Sequence, residues 1–399
     1  MIKPHTLVLA TGIIALTLSA CVPPPPPQPA GGLLPISRST AVCPVETFLG
    51  KVHFLDTSSS FSLPGSGYES PPPINFTPVP ASIKQDLTGA FNAAPDFFKG
   101  QLCGLAGVFI DPTGCRGYDP SGCGSLSDED IVDYSWGFRK YPAGEKYIGT
   151  SLGLWRNGGH APPFDQFETR RLRALLNTLS PREAHDPHPP IHRPDFLSPT
   201  QSTTMTVLAA LAHEYGHALW FDTFVVKPDG KPNPGGPAVI DLFCSGAYYS
   251  GSWQGRVELP ATRWIGFGDV RNTHQTEGLN IDDLRSYIKQ ENFGLAGNFL
   301  QKVYSSDEWA SLLATFSPDE DFVEAYQLYV LLFANPNLRS PIQITGTAVN
   351  SYDVPGSWKN RPRLQNKMSC FGELPPAPAP IQPGVAPAEK LPRYPNPRP

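Results

Sequence analysis

The clearest periodicity in the chain lies near its middle. Val207, Leu208, Leu211, Ala212, Tyr215 and Leu219 recur at the spacing of three and four that places apolar side chains on one face of a helix. No proline interrupts the stretch before Pro228, and Ser202 or Thr203 offers an N-cap, so a helix is predicted over Thr203–Phe224. Phe167, Leu172, Leu175, Leu176 and Leu179 predict an amphipathic helix over Asp165–Leu179. Further helices are expected over Asn280–Asn292, Ser306–Phe316 and Pro318–Phe333. Earlier in the chain, Cys103–Asp111 and Lys146–Trp155 are bounded by turn residues and rich in β-formers, and read as strands. Ser180–Pro199 carries too many prolines for regular structure. Strands first and helices later predict an α+β fold. Residues 41–372 read as one unit without internal repeats: a sheet-containing lobe over 41–200 and a mainly helical lobe over 201–372.

The two ends do not share this patterning. After Lys3, Leu7–Leu18 is a short apolar run that ends in Leu18-Ser19-Ala20-Cys21. A run of this length followed by small residues predicts a secretory leader over 1–20 rather than a membrane helix. Its ending resembles the bacterial lipobox, which implies that Cys21 becomes the lipidated first residue of an exported protein held on a bacterial membrane. Residues 21–40 include Pro23–Pro27, Pro29 and Pro35 and predict an extended polyproline spacer. Residues 373–399 are again proline-rich and are expected to be disordered. Proline is the compositional outlier, with 47 of 399 residues, more than double the usual share of about 5%. The net charge of −5 provides no basic excess, so no nucleic-acid partner is expected.

Cysteine usage fits an oxidising compartment. Besides Cys21 the chain has Cys43, Cys103, Cys115, Cys123, Cys244 and Cys370, enough for three disulfides in unspecified pairing. Cys103, Cys115 and Cys123 lie close together, but their spacings lack a zinc-knuckle pair, so disulfides are the preferred expectation.

The chemistry concentrates in His213-Glu214-Tyr215-Gly216-His217, which sits inside the predicted central helix. His213 and His217 are i and i+4, so both imidazoles leave one face and can reach a common zinc at about 2.0–2.1 Å. Glu214 falls on the adjacent face, where it can take a proton from water without being a ligand. A third protein ligand is needed. The residues after His217, Ala-Leu-Trp-Phe-Asp-Thr, lack the downstream Gly and His of one zinc-peptidase class. Ser317-Pro318-Asp319-Glu320-Asp321-Phe322-Val323-Glu324 supplies carboxylates at a helix start: Ser317 can cap, Pro318 suits the first position, and Glu320 and Glu324 face the same way. Acids in a first turn also simply complement the helix dipole.

These two segments resemble the gluzincins, zinc peptidases with two His and one Glu ligand, and Glu320-Asp-Phe-Val-Glu324-Ala-Tyr is similar to the second motif of their lethal-factor-like branch. The resemblance implies a zincin-like fold with an active-site helix, one Zn2+ per chain on His213, His217 and Glu320, Glu214 as general base, and Glu324 as acceptor for a ligand ring N–H. It implies hydrolysis of a peptide or protein substrate in the cell envelope. It also implies insertions between the motifs, over Val225–Gly268, and an extended substrate adding to the strand Lys146–Trp155. Such enzymes usually add a Tyr or His that stabilises the oxyanion; Tyr326, Tyr329 and His274 are candidates without a preferred member. The rival reading is a non-catalytic envelope lipoprotein with a structural zinc site, although such a site has no use for a non-ligating Glu214.

Two other clusters read more plainly. His185, His188 and His192 lie among prolines that prevent helical convergence, so an exposed loop is expected. Trp136, Phe138 and Arg139 read as core plus a salt bridge.

Overall fold

The computed structural model describes residues 41–56, 76–111, 135–140, 145–155, 158–179, 191–192, 198–220, 281–315 and 318–376. The predicted leader, Cys21, the proline tether and almost all of the tail lie outside the described residues. So do Cys115, Cys123, Cys244, His185, His188, His274, Ser317 and the expected insertion Val225–Gly268, and also the side chains of Trp136, Phe138, Arg139 and His192.

The helices are α1 Val45–Leu49, α2 Ala81–Ala93, α3 Asp96–Cys103, α4 Phe164–Leu179, α5 Pro199–Trp220, α6 Ile281–Lys289, α7 Phe293–Ser305, α8 Pro318–Ala334, α9 Val354–Ser357 and α10 Pro362–Ser369. The strands are β1 Val52–Leu55, β2 Phe76–Thr77, β3 Gly107–Asp111, β4 Ser135–Lys140, β5 Glu145–Ser151, β6 Ile191–His192, β7 Pro341–Thr345 and β8 Val349–Asp353. The fold is mixed α+β. A five-stranded sheet has the order β2-β1-β3-β5-β4, with β1, β3 and β5 parallel and the flanking strands β2 and β4 antiparallel. A three-stranded antiparallel sheet joins β7 and β8 to β6, which lies within Ser180–Pro199, where no regular structure is expected. Among the described residues no helix is long and apolar enough to cross a membrane.

Strand alternation assigns the two faces of the larger sheet. Val108, Ile110 and Ile148 join the core shared with Leu87 of α2 and Leu208 of α5. On the opposite face Phe109 stacks on His53 at 5.2 Å and on Tyr147 at 5.6 Å between ring centroids. β5 is paired on both sides, Val108↔Ile148 with β3 and Gly137↔Ile148 with β4. It is therefore an interior strand, and the substrate edge expected at Lys146–Trp155 is corrected: among the described residues β4 is the outermost strand on that side. The strand also stops at Ser151 and gives way to a 3-10 turn, Leu152–Trp155. Cys103 belongs to the end of α3 and not to the strand.

α5 is the central element and contacts α2, α4, α8, β4 and β5. It starts four residues before its predicted limit. Ser198 precedes Pro199 at the first helical position, and Ser198 Oγ caps the helix by accepting from Gln201 N at 3.4 Å while donating to Gln201 Oε1 at 3.0 Å. Ser202, read as a cap, is instead fully buried within the helix, and its hydroxyl accepts from Phe164 N at 2.6 Å, fixing the start of α4 against α5. Thr206 Oγ1 donates to Pro162 O at 2.8 Å beside it.

The later half departs from expectation at two points. Of the helix expected over Ser306–Phe316, the described residues 306–315 contain only a 3-10 turn, Leu313–Thr315. Ser306 Oγ accepts from Glu308 N and Ser311 Oγ from Ala314 N, local bonds that compete with helical ones while Trp309, Leu312 and Leu313 fill the core. Conversely, α7 forms over Phe293–Ser305, for which no element is predicted. Asn292 caps it through Leu295 N at 3.3 Å, and Gly297 is needed because a Cβ there would collide with the Thr345 carbonyl of β7.

A disulfide joins Cys43 to Cys103, which removes Cys103 from the alternative three-cysteine cluster; Cys370 is disulfide-bonded as well. Closing a loop of this length removes about 4 kcal/mol of conformational freedom from the unfolded chain in the loop-entropy account.

Candidate metal centre

The site forms where α5 crosses α8. Gly216 makes the close approach possible: a Cβ there would lie 3.2 Å from Val323 Cγ1 and 3.3 Å from Val323 Cα. Gly216→Val would force its branched side chain into that contact. It is expected to lower Tm through overpacking of about 1–3 kcal/mol and to weaken metal binding by widening the gap between the helices. Thermal unfolding and metal stoichiometry would check this, and an unchanged stoichiometry would show that the contact does not set the site.

Across this contact His213 and His217 meet Glu320. The two Nε2 atoms are 3.2 Å apart, Glu320 Oε2 is 3.7 Å from His213 Nε2, and Glu320 Oε1 is 3.7 Å from His217 Nε2. Ligands at about 2.0–2.1 Å around a tetrahedral ion stand about 3.3 Å from one another, so these spacings suit one ion. His213, His217 and Glu320 thus form a group that could hold a metal ion.

The outer nitrogens of both rings face carboxylates. His213 Nδ1 lies 2.8 Å from Glu324 Oε1, and His217 Nδ1 lies 3.3 Å from both oxygens of Asp319. Each carboxylate favours a proton on Nδ1, which turns each Nε2 toward the other. The 3.2 Å between the two Nε2 atoms is a hydrogen-bond distance that a proton on His217 Nε2 spans, and a metal ion would take the place of that proton between the rings. Asp319 was not distinguished in the sequence from an ordinary dipole-complementing acid. The first turn of α8 in fact divides its acids among three tasks: Asp319 faces His217, Glu320 joins the metal group, and Asp321 makes a fully buried pair with Lys367 of α10 at 2.7 Å. Lys367 also lies 4.2 Å from the Trp309 ring centroid, so α10 pins the turn that carries Glu320.

No protein-family model, curated protein or solved structure matches this chain. The site therefore has to be read from its own geometry and charge.

Burial pushes His213 down to about 4, so at neutral pH it is a neutral imidazole, the ligating form. Burial acts on His217 in the same direction but is outweighed by Asp319 and Glu320, which push it up to about 10; the acids around this ring make the position favourable for positive charge. Burial raises Glu320 to about 7, with His217 opposing. Burial would also raise Glu324, but Arg171 and His213 overcome it and hold that carboxyl well below the usual range. Glu214 is 2% exposed, and burial pushes it up to about 8. Its Oε1 is 3.9 Å from His213 Nε2, and its Oε2 is buried without a hydrogen-bond partner among the described residues. A buried carboxylate oxygen left open beside a ligand group is a site for a proton or a water.

Tyr326 and Tyr329 do not serve the site. The buried Tyr326 hydroxyl donates to Gln101 of α3, and Tyr329 donates to the Glu373 carbonyl at 3.0 Å. Both are drawn away as packing residues, ringed by Phe97, Phe98 and Phe371.

Proposed function

We propose that this chain is a zinc-dependent metallopeptidase of zincin-like architecture and gluzincin type, exported and lipid-anchored through Cys21 on a bacterial membrane. The observation that carries the reading is the arrangement of Glu214: a buried carboxylate, open at Oε2, beside a His213–His217–Glu320 group of metal-ligating spacing. A site built only to hold an ion has no need of that acid.

In this reading His213 and His217 present Nε2 and Glu320 presents a carboxylate oxygen to one Zn2+. When bound, zinc acidifies a water and polarises a carbonyl oxygen. Glu214 Oε2 takes a proton from the attacking water and returns it to the leaving amine nitrogen, a transfer worth about 10²–10⁴-fold in rate. Glu324 and Asp319 hold the Nδ1 protons and keep both rings turned inward. The substrate is a peptide or protein of the cell envelope, laid in extended form against the strand β4.

The test uses the full-length chain. One zinc per chain, cleavage within a mixed peptide library, loss of cleavage on chelation and recovery on adding zinc back are expected. Zinc held firmly by a protein that cleaves nothing in the library would favour the rival, a binding lipoprotein with a structural ion.

A further inference from the structure

Arg171 of α4 lies on the Nδ1 side of His213, opposite the Nε2 that faces the metal group. Its Nη2 donates to Glu324 Oε1 at 2.5 Å, and its Nη1 donates to Gln327 Oε1 and Glu168 Oε1, each at 3.2 Å. Glu324 and Gln327 are i and i+3 on α8, so the guanidinium fork grips one face of that helix from across the helix interface. The guanidinium carbon lies 5.6 Å from the Phe167 ring centroid, one turn back along α4. Nη2 also stands 3.3 Å from His213 Nδ1. In the tautomer with the Nδ1 proton toward Glu324, that nitrogen has no lone pair for Arg171, and the guanidinium bears on the ring through the carboxylate and by its charge.

Resting on the metal-centre reading above, we propose that Arg171 is a positioning residue for zinc: it fixes the Glu324 carboxylate against His213 and thereby sets the tautomer and angle of that ligand. Three features of the contact lead there. The Glu324 side chain is 2% exposed, so its charge needs a buried partner, and Arg171 supplies one. Glu324 Oε1 is the atom shared by both contacts, with Arg171 on one side and His213 Nδ1 on the other. Arg171 is also anchored on its own helix by Glu168, so the chain Glu168–Arg171–Glu324–His213 ties the orientation of a ligand on α5 to the placement of α4. An arginine whose purpose was only to join α4 to α8 would have no reason to converge on the single oxygen that holds the imidazole.

The test compares full-length wild type with Arg171→Met and Arg171→Lys. The readouts are zinc affinity by chelator competition and the visible d–d spectrum of the Co2+-loaded protein, with thermal unfolding at saturating metal as the control for folding. Arg171→Met is expected to raise the zinc Kd by about 10–100-fold and to alter the cobalt spectrum. Arg171→Lys keeps the charge but loses the fork, and is expected to fall between the two. A Kd for Arg171→Met within about twofold of wild type, with an unchanged cobalt spectrum, would overturn the proposal. Should Arg171→Met fail to fold, Arg171→Lys decides: wild-type affinity and spectrum there would overturn it equally. Wild type that binds no zinc removes the metal-centre reading, and this inference with it. Wild type that binds zinc with Arg171 variants indifferent removes this inference alone.

Discussion

Glu214→Gln is expected to keep its zinc and to lose peptide hydrolysis by about 10²–10⁴-fold in kcat/KM. The substitution is nearly isosteric in a position that is 2% exposed, so the packing of α5 should survive it. What changes is the open Oε2, which becomes either an amide N–H₂ or an amide oxygen too weakly basic to take a proton. Burial pushes the Glu214 carboxyl up to about 8, so its ionised form is a strong proton acceptor but the minor form at neutral pH unless a neighbouring cation stabilises its charge. The effect should lie in kcat more than in KM, because the proton moves only in the reaction step. A Gln variant that cleaves peptides at the wild-type rate would exclude Glu214 as the base.

Removing the third ligand should produce the other large effect, and the contrast with its neighbour is diagnostic. Glu320→Ala is expected to lose zinc outright, since two imidazoles alone make an incomplete site. Glu324→Ala should retain zinc with affinity lowered about 10–100-fold, because it removes only the acceptor that orients His213. Stability should rank the other way. Glu324→Ala takes from Arg171 its most buried partner and leaves it Glu168 at 3.2 Å, so the cost should fall below the about 3–5 kcal/mol of a wholly unpaired buried charge. Glu320→Ala removes a carboxyl that burial raises to about 7 against the attraction of His217, so its Tm without added zinc should fall less than that of Glu324→Ala. Elemental analysis together with unfolding curves would separate the two variants. Zinc lost from Glu324→Ala but kept in Glu320→Ala would reverse the ligand assignment.

The residues on α5 were legible in the sequence because their relation is local: four residues of helix settle which way His213 and His217 point, and the apolar spacing from Val207 to Leu219 reveals the helix itself. Glu320 and Glu324 could be nominated on the same footing. Asp319 and Arg171 could not, since an acid in a first turn and an arginine in an amphipathic helix have ordinary explanations, and only the packing of three helices brings them onto the two Nδ1 atoms. The same limit applies to the fold. Strand β5 was recognisable by composition, but whether a strand is interior or edge depends on what pairs with it. α7 was not predicted, and its Gly297 exists for the close approach of β7 rather than for its own helix. A helix was predicted from the composition of Ser306–Phe316, yet Ser306 and Ser311 satisfy neighbouring amides and residues 306–315 fold as turns.

The disulfide between Cys43 and Cys103 has a mechanical consequence for an anchored protein. If residues 21–40 are a tether under tension, pull arriving from the membrane enters the folded body at Cys43, two residues before α1 begins. Without the covalent link, that pull would unzip the body from its end, peeling α1 and then drawing β1 out of the sheet one pairing at a time. With it, the tension passes directly to the end of α3, bypassing α1 and β1. Stretching the tether then strains a sulfur–sulfur bond and the seat of α3 against the core, while the helices that carry the metal group stay outside the line of force.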